Sequence, residues 1–272
     1  MARVPIQRLD DPAFACVYNT NRFSEIQMRE LLDQRLEPFF RDRQTIRDSG
    51  ETLSFQSAVD GEPYFVKEFR RPAWYSRIRD SVGEPKCLRG FRTASRLLKA
   101  ELPAPQPIFA VAFTDDDPRC QVLVAECCID AVPLDRYLEK TTGIVRRAFV
   151  AELADLLTGF HAKGFHSHEL EAAKILARED AGTRKYWITG LHHLAGNRLN
   201  ATRHFVRTVA VAGADLHDAL VPEERNYLLA ACFDYALKKN IYSRPSQQDK
   251  FTRSVISKIR KRGGTRLAAA AK

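Results

Sequence analysis

The sequence predicts an α+β protein of two lobes, a β-rich N-terminal lobe followed by an α-helical C-terminal lobe. Three observations carry that prediction. Short runs rich in β-branched and aromatic residues fall in the first half, at 52–59, 64–69, 108–113 and 121–126. Long stretches with apolar residues at helical spacing dominate after residue 145. The change of character falls near Ile129-Asp130-Ala131-Val132-Pro133, and 272 residues suit one two-lobed domain.

Taken in order, residues 1–45 form an N-terminal extension in which Ser24 is placed to cap a helix over 23–32. Two strands follow, joined by Asp60-Gly61, where glycine supplies the positive φ of a tight hairpin. The stretch 70–79 is basic with interleaved aromatics. Pro85 opens a helix carrying Cys87, Leu88, Phe91, Ala94, Leu97 and Leu98 on its apolar side. Pro103, Pro105 and Pro107 end it and force an extended path into the next strand. A turn at 115–118 leads to the strand 121–126. In the second half a helix is expected over 145–163, with Phe149, Leu153, Leu156, Leu157 and Phe160 on one face. Further helices are expected over 201–212 and 223–238. The segments are then 1–45 (extension), 46–129 (N-lobe), 130–245 (C-lobe) and 246–272, a basic tail with a frayed, Ala-rich end. No internal repeat is present.

With 43 Lys and Arg against 34 Asp and Glu, the formal charge is +9, which favours anionic partners without choosing among them. None of the six cysteines forms a CxxC pair, so reduced, mostly buried thiols are expected and no metal site. No apolar run approaches the roughly 20 residues that span a bilayer. The first residues lack an apolar signal segment and carry Asp10 and Asp11, which points to the cytoplasm.

The motifs sharpen the class. Tyr-Phe-Val-Lys at 64–67 resembles the third-strand lysine motif of protein kinases, and Leu-Val-Ala-Glu at 123–126 the strand leading to the hinge. The run 161–170, HAKGFHSHEL, is similar to the approach to a catalytic loop. Within the kinase-like fold, Pro85–Leu97 resembles the basic helix of the lipopolysaccharide kinase group. Leu102–Pro107 resembles its "IPTPxP" segment, and Ile188–His193 its "IIDLHR" metal-binding strand. That group phosphorylates heptose or Kdo in the inner core of bacterial lipopolysaccharide. The resemblance covers roughly 50–240 and implies a bilobal protein-kinase-like fold.

It also implies roles, several of which the residues do not fit. Phosphoryl transfer needs a lysine on the phosphates, a carboxylate holding that lysine, a base near the acceptor hydroxyl, and oxygen ligands for Mg²⁺. Lys67 stands at the phosphate position, and Glu126 is the second nucleotide-binding position. Gly90 replaces the helix glutamate, and neither Glu84 nor Glu101 sits in the matching turn. Glu169 stands at the catalytic aspartate position, beside His166 and His168. Lys174 replaces the loop asparagine, and Gly190 replaces the metal-binding aspartate, with Thr189 and His192 and His193 beside it. Ammonium has no lone pair, and glycine offers no side-chain oxygen.

The expectation is a pseudokinase of lipopolysaccharide biosynthesis or its regulation, acting by binding. ATP is its candidate cofactor and Mg²⁺ a poor one. The alternative is an active ATP-dependent kinase of an inner-core heptose or Kdo, with Glu169 as base. Candidate partners are a protein and an anionic glycolipid or the inner-membrane surface. They would be faced by the basic stretch 70–79 and by Lys258, Arg260, Lys261 and Arg262. Nucleic acid is disfavoured: zinc spacing, RRM-like aromatics and a helix-turn-helix pattern are all missing.

Overall fold

A computed structural model of the chain describes residues 5–70, 84–114, 121–141, 143–167, 170–190, 195–196 and 201–270. The chain divides into two compact units, Met1–Ile129 and Asp130–Lys272.

The first unit is built on a seven-stranded sheet of order β1-β2-β6-β7-β5-β4-β3. Its strands are β1 (Ile6–Asp11), β2 (Phe14–Asn19), β3 (Arg43–Asp48), β4 (Thr52–Val59), β5 (Glu62–Phe69), β6 (Pro107–Phe113) and β7 (Gln121–Glu126). Every pairing is antiparallel. The helices are α1 (Glu25–Asp33), α2 (Pro38–Arg41) and α3 (Lys86–Lys99). The β4–β5 hairpin turns at Asp60 and Gly61, both with positive φ, as the Asp-Gly pair predicts. Ser24 caps α1 in a capping box with Gln27.

Both faces of the sheet are covered, which explains why β6 is buried at every position. Successive side chains alternate between faces. Phe109 and Val111 join Met28, Leu32, Leu36 and Phe39 in one cluster beneath α1 and α2. Ala110 and Ala112 join Cys87, Leu88 and Phe91 of α3 in the other. The segment set apart as an extension therefore supplies two strands and two helices to this unit. Residues 14–18 pair with 109–113, so the first strands continue the sheet past β6. Burial pushes the Cys16 thiol up to about 12, with Asp10 adding to the effect, so it is an inert core thiol.

The second unit contains α4 (Leu134–Glu139), α5 (Gly143–Ala162), α6 (Ala201–Asp215), α7 (Pro222–Lys238) and α8 (Gln248–Ala270). A small sheet of order β11-β10-β8 uses β8 (Val132–Pro133), β10 (Ile175–Asp180) and β11 (Thr183–Ile188). A two-stranded ladder joins β9 (Phe165–His166) to β12 (Ala195–Gly196). Phe205, Phe233, Tyr242 and Phe251 form an aromatic core between α6, α7 and α8. The stretch described as a frayed tail is helical as far as Ala270, and α8 packs along α6, with Phe251 and Val255 fully inside.

Two arginines tie this unit together. Arg146 of α5 donates from Nε to Glu224 of α7 at 2.6 Å, and also to the Ala219 and Leu138 carbonyls. Arg184 of β11 grips Glu152 of α5 through both Nε and a terminal nitrogen, at 2.8 and 2.7 Å, while the Tyr186 hydroxyl donates to the same carboxylate at 2.6 Å. Among the described residues, no helix is long and apolar enough to cross a membrane.

Candidate functional site

In the first unit, β5 places Lys67 opposite Leu123 of β7 and Ser54 of β4. Lys67 is half-buried, and its ammonium lies 5.2 Å from the centre of the Phe69 ring. Phe69, two residues on, shares its face of the sheet, and that face is the one α3 covers. Gly90 of α3 is buried against the same face: a β-carbon there would stand 3.0 Å from Cδ2 of Leu123. Gly90 of α3 thus sits over Leu123, which neighbours Lys67 in the sheet. Apolar packing fills the direction in which the resemblance puts an acidic side chain. Glu84 is engaged elsewhere, since Arg92 pairs with its carboxylate and Arg89 donates to its carbonyl at 3.0 Å.

Glu126 ends β7 opposite Tyr64. Its side chain is exposed, and its backbone N–H donates to the Gln106 carbonyl at 2.8 Å. The basic stretch that follows β5 begins at Arg70. That residue is engaged within the unit, its guanidinium 3.0 Å from Asp48 and 3.9 Å from the buried Glu68. Residues 71–79 lie outside the described residues.

In the second unit the structure brings Lys174 and Gly190 together. Lys174 closes a short 3₁₀ turn, Ala172–Lys174, before β10, and Gly190 follows β11. The Lys174 carbonyl accepts two hydrogen bonds from Thr189, one from the backbone N–H at 2.7 Å and one from the hydroxyl at 2.9 Å. The Thr189 proton is therefore already in use. Gly190 has φ +70, and a β-carbon on it would stand 3.0 Å from Cδ, 3.4 Å from Cγ and 3.5 Å from Cε of Lys174. The aliphatic stem of the lysine lies against the bare face of the glycine.

A network missed in the sequence holds this turn. Glu171 sits 3.7 Å from the Lys174 ammonium and accepts a hydrogen bond from Arg262 at 2.9 Å. Arg262 also lies 3.9 Å from Asp215, whose other oxygen accepts the Ala172 N–H at 3.1 Å. Arg262 is thus spent inside the unit instead of facing a partner. The available signal was helical spacing: Arg262 falls seven residues after Val255 and eleven after Phe251, on the buried face of α8.

His166 is buried on β9 and stacks on His204 of α6, with ring centres 4.1 Å apart. Glu169 and His168 lie outside the described residues, as do His192 and His193. Among the described residues no group of three or more His, Cys, Asp or Glu is placed to hold a metal ion.

A model of the lipopolysaccharide kinase (Kdo/WaaP) family matches residues 41–211, more than half of the chain. The chain belongs to that family. Among solved structures it is similar to WaaP in complex with acyl carrier protein. The TM-score is 0.60 at 16% identity, covering 84% of this chain and 91% of WaaP. The likeness extends the kinase-like fold of the family beyond the matched segment to most of the chain. No curated protein matches the sequence.

Proposed function

We propose that this family member has lost magnesium-dependent phosphotransfer and serves lipopolysaccharide biosynthesis, or its regulation, by binding. The observation that carries the reading is the contact between Lys174 and Gly190. These are the two positions at which the resemblance implies oxygen ligands for the ion. Mg²⁺ demands hard oxygen donors in near-octahedral geometry. An ammonium supplies none, and its stem occupies the space into which an aspartate at 190 would project. The residues described at these positions do not fit the ion. Gly90 supports the same reading, because close packing on Leu123 occupies the helix position at which the resemblance implies a carboxylate.

Lys67 retains the charge to meet a phosphate, so nucleotide binding without turnover is part of the proposal. The partner is an acidic protein or an anionic glycolipid. The protein alternative draws support from the complex in which WaaP was solved with acyl carrier protein. The surplus of +9 favours either.

A thermal-shift titration with ATP, alone and with Mg²⁺ or Mn²⁺, tests the reading, together with a phosphorylation assay on inner-core oligosaccharide. The expected result is no stabilisation that requires the metal and no phosphorylated product. Turnover on heptose or Kdo that disappears in both Lys67→Met and Glu169→Gln would overturn it and establish an active kinase.

A further inference from the structure

The seam between α6 and α8 holds a cavity of about 450 Å³ that none of the phosphotransfer positions lines. Small-molecule sites commonly fall in the range of roughly 300–1,000 Å³. Three cations face it, Arg203 from α6 and Lys250 and Lys258 from α8. Lys250, Ser254 and Lys258 are four residues apart and form one row along the helix. The Ser254 hydroxyl donates to the Lys250 carbonyl at 2.7 Å, within that row. No acidic residue lines the cavity, and among the described residues none of the three cations has an ion-pair partner.

The rest of the lining is of a different kind. Val206, Tyr242 and Phe251 give it an apolar, aromatic floor that is itself buried. Gln247 closes one end, and its Oε1 accepts the N–H groups of Ser243 and Arg244 at 3.3 and 3.2 Å. Its amide NH₂ is therefore the end left to donate.

Three like charges around one concavity repel one another and concentrate positive potential there. A dianion relieves that repulsion better than a single carboxylate does. A guanidinium flanked by ammonium groups is the donor set that phosphate oxygens prefer. An aromatic floor suits the apolar face of a sugar ring or the top of an acyl chain. We propose that the α6–α8 cavity binds a phosphate ester carried on a sugar-sized or lipid body. Arg203, Lys250 and Lys258 would hold the phosphate, with Tyr242 and Phe251 beneath the body. The assignment does not depend on whether phosphotransfer is lost.

The test uses the full chain with two probes, glucose 1-phosphate by calorimetry and phosphatidylcholine vesicles with or without phosphatidic acid by co-sedimentation. At least one phosphate ester should bind, and the double variant Lys250→Glu/Lys258→Glu should weaken it at least tenfold. The milder Lys250→Gln/Lys258→Gln pair should weaken it in the same direction and covers the case in which charge reversal impairs folding. Binding of glucose 1-phosphate identifies a soluble ester as the ligand, and binding only to phosphatidic acid vesicles identifies a headgroup. Failure of both probes, or binding that survives both double variants, overturns the site.

Discussion

Cδ of Lys174 stands 3.0 Å from where a β-carbon of Gly190 would be, so the size of one residue and the absence of the other are a single packing arrangement. Neither position can change size alone without disturbing the other. Gly190→Asp meets the lysine stem, while Lys174→Asn leaves a gap over the glycine.

The first prediction is an energetic coupling between these two. Gly190→Ala should lower the melting temperature by a few degrees, since a left-handed backbone costs a residue with a β-carbon about 1–2 kcal/mol and the contact adds to it. In a Lys174→Ala background the same change should cost less. A double-mutant cycle read by denaturant melts checks this, and strict additivity would show that the contact is not felt.

A parallel cycle applies to Gly90 and Leu123. Alanine is favoured over glycine inside a helix by about 1 kcal/mol, but here its β-carbon would crowd Leu123. Overpacking typically costs about 1–3 kcal/mol. Gly90→Ala should therefore be neutral to destabilising in the wild type and stabilising when Leu123 is shortened to alanine. The longer Gly90→Glu should be destabilising in both backgrounds and should not raise nucleotide affinity.

Removing the Arg262 side chain should loosen the turn at 171–174 from α8 and α6. The partners Glu171 and Asp215 would then face each other without the cation between them. Arg262→Ala should lower the melting temperature and speed amide exchange at Ala172, whose N–H is held by Asp215. Arg262→Lys should restore part of the stability but not the two-sided grip. Unchanged exchange at Ala172 in Arg262→Ala would count against the network.

The pH dependence of stability should carry a signature of Glu152. Burial pushes its carboxyl up, but the hydrogen bonds from Arg184 and Tyr186 outweigh that effect and hold it below its ordinary value of 4.5. A depressed carboxylate contributes stability above its unfolded value and loses that contribution as the pH falls through the folded one. Glu152→Gln should therefore melt lower than the wild type at pH 7, and the gap should close as the pH drops below the unfolded value. A gap independent of pH would indicate packing alone.

How far the sequence revealed the fold depended on local signals. The β4–β5 hairpin was legible because Asp60-Gly61 states its own backbone geometry. Helix α3 was legible because its buried residues repeat at helical spacing. By contrast, β1 buries only Leu9, and β3 is exposed at every position. Neither shows an alternating apolar pattern, because each is an edge strand that pairs only with the strand next in sequence and buries little of its own surface. The site divides in the same way. Lys67, Gly90, Lys174 and Gly190 stand out in the sequence only as positions the resemblance implies. That Leu123 fills the place below Gly90, and that Lys174 lies on Gly190, are contacts between residues 33 and 16 positions apart. Arg262, expected from the sequence to face a partner, pairs with Glu171 and Asp215, acids that lie far back along the chain.

The union of β2 with β6 also sets a timetable for synthesis. Phe14 to Tyr18 leave the ribosome nearly a hundred residues before the strand at 109–113 that will cover them. Pairings of such long separation close slowly, and chains emerge at about 5–20 residues per second. For seconds the nascent chain carries this apolar strand without the strand it pairs with, an interval in which a chaperone would shield it.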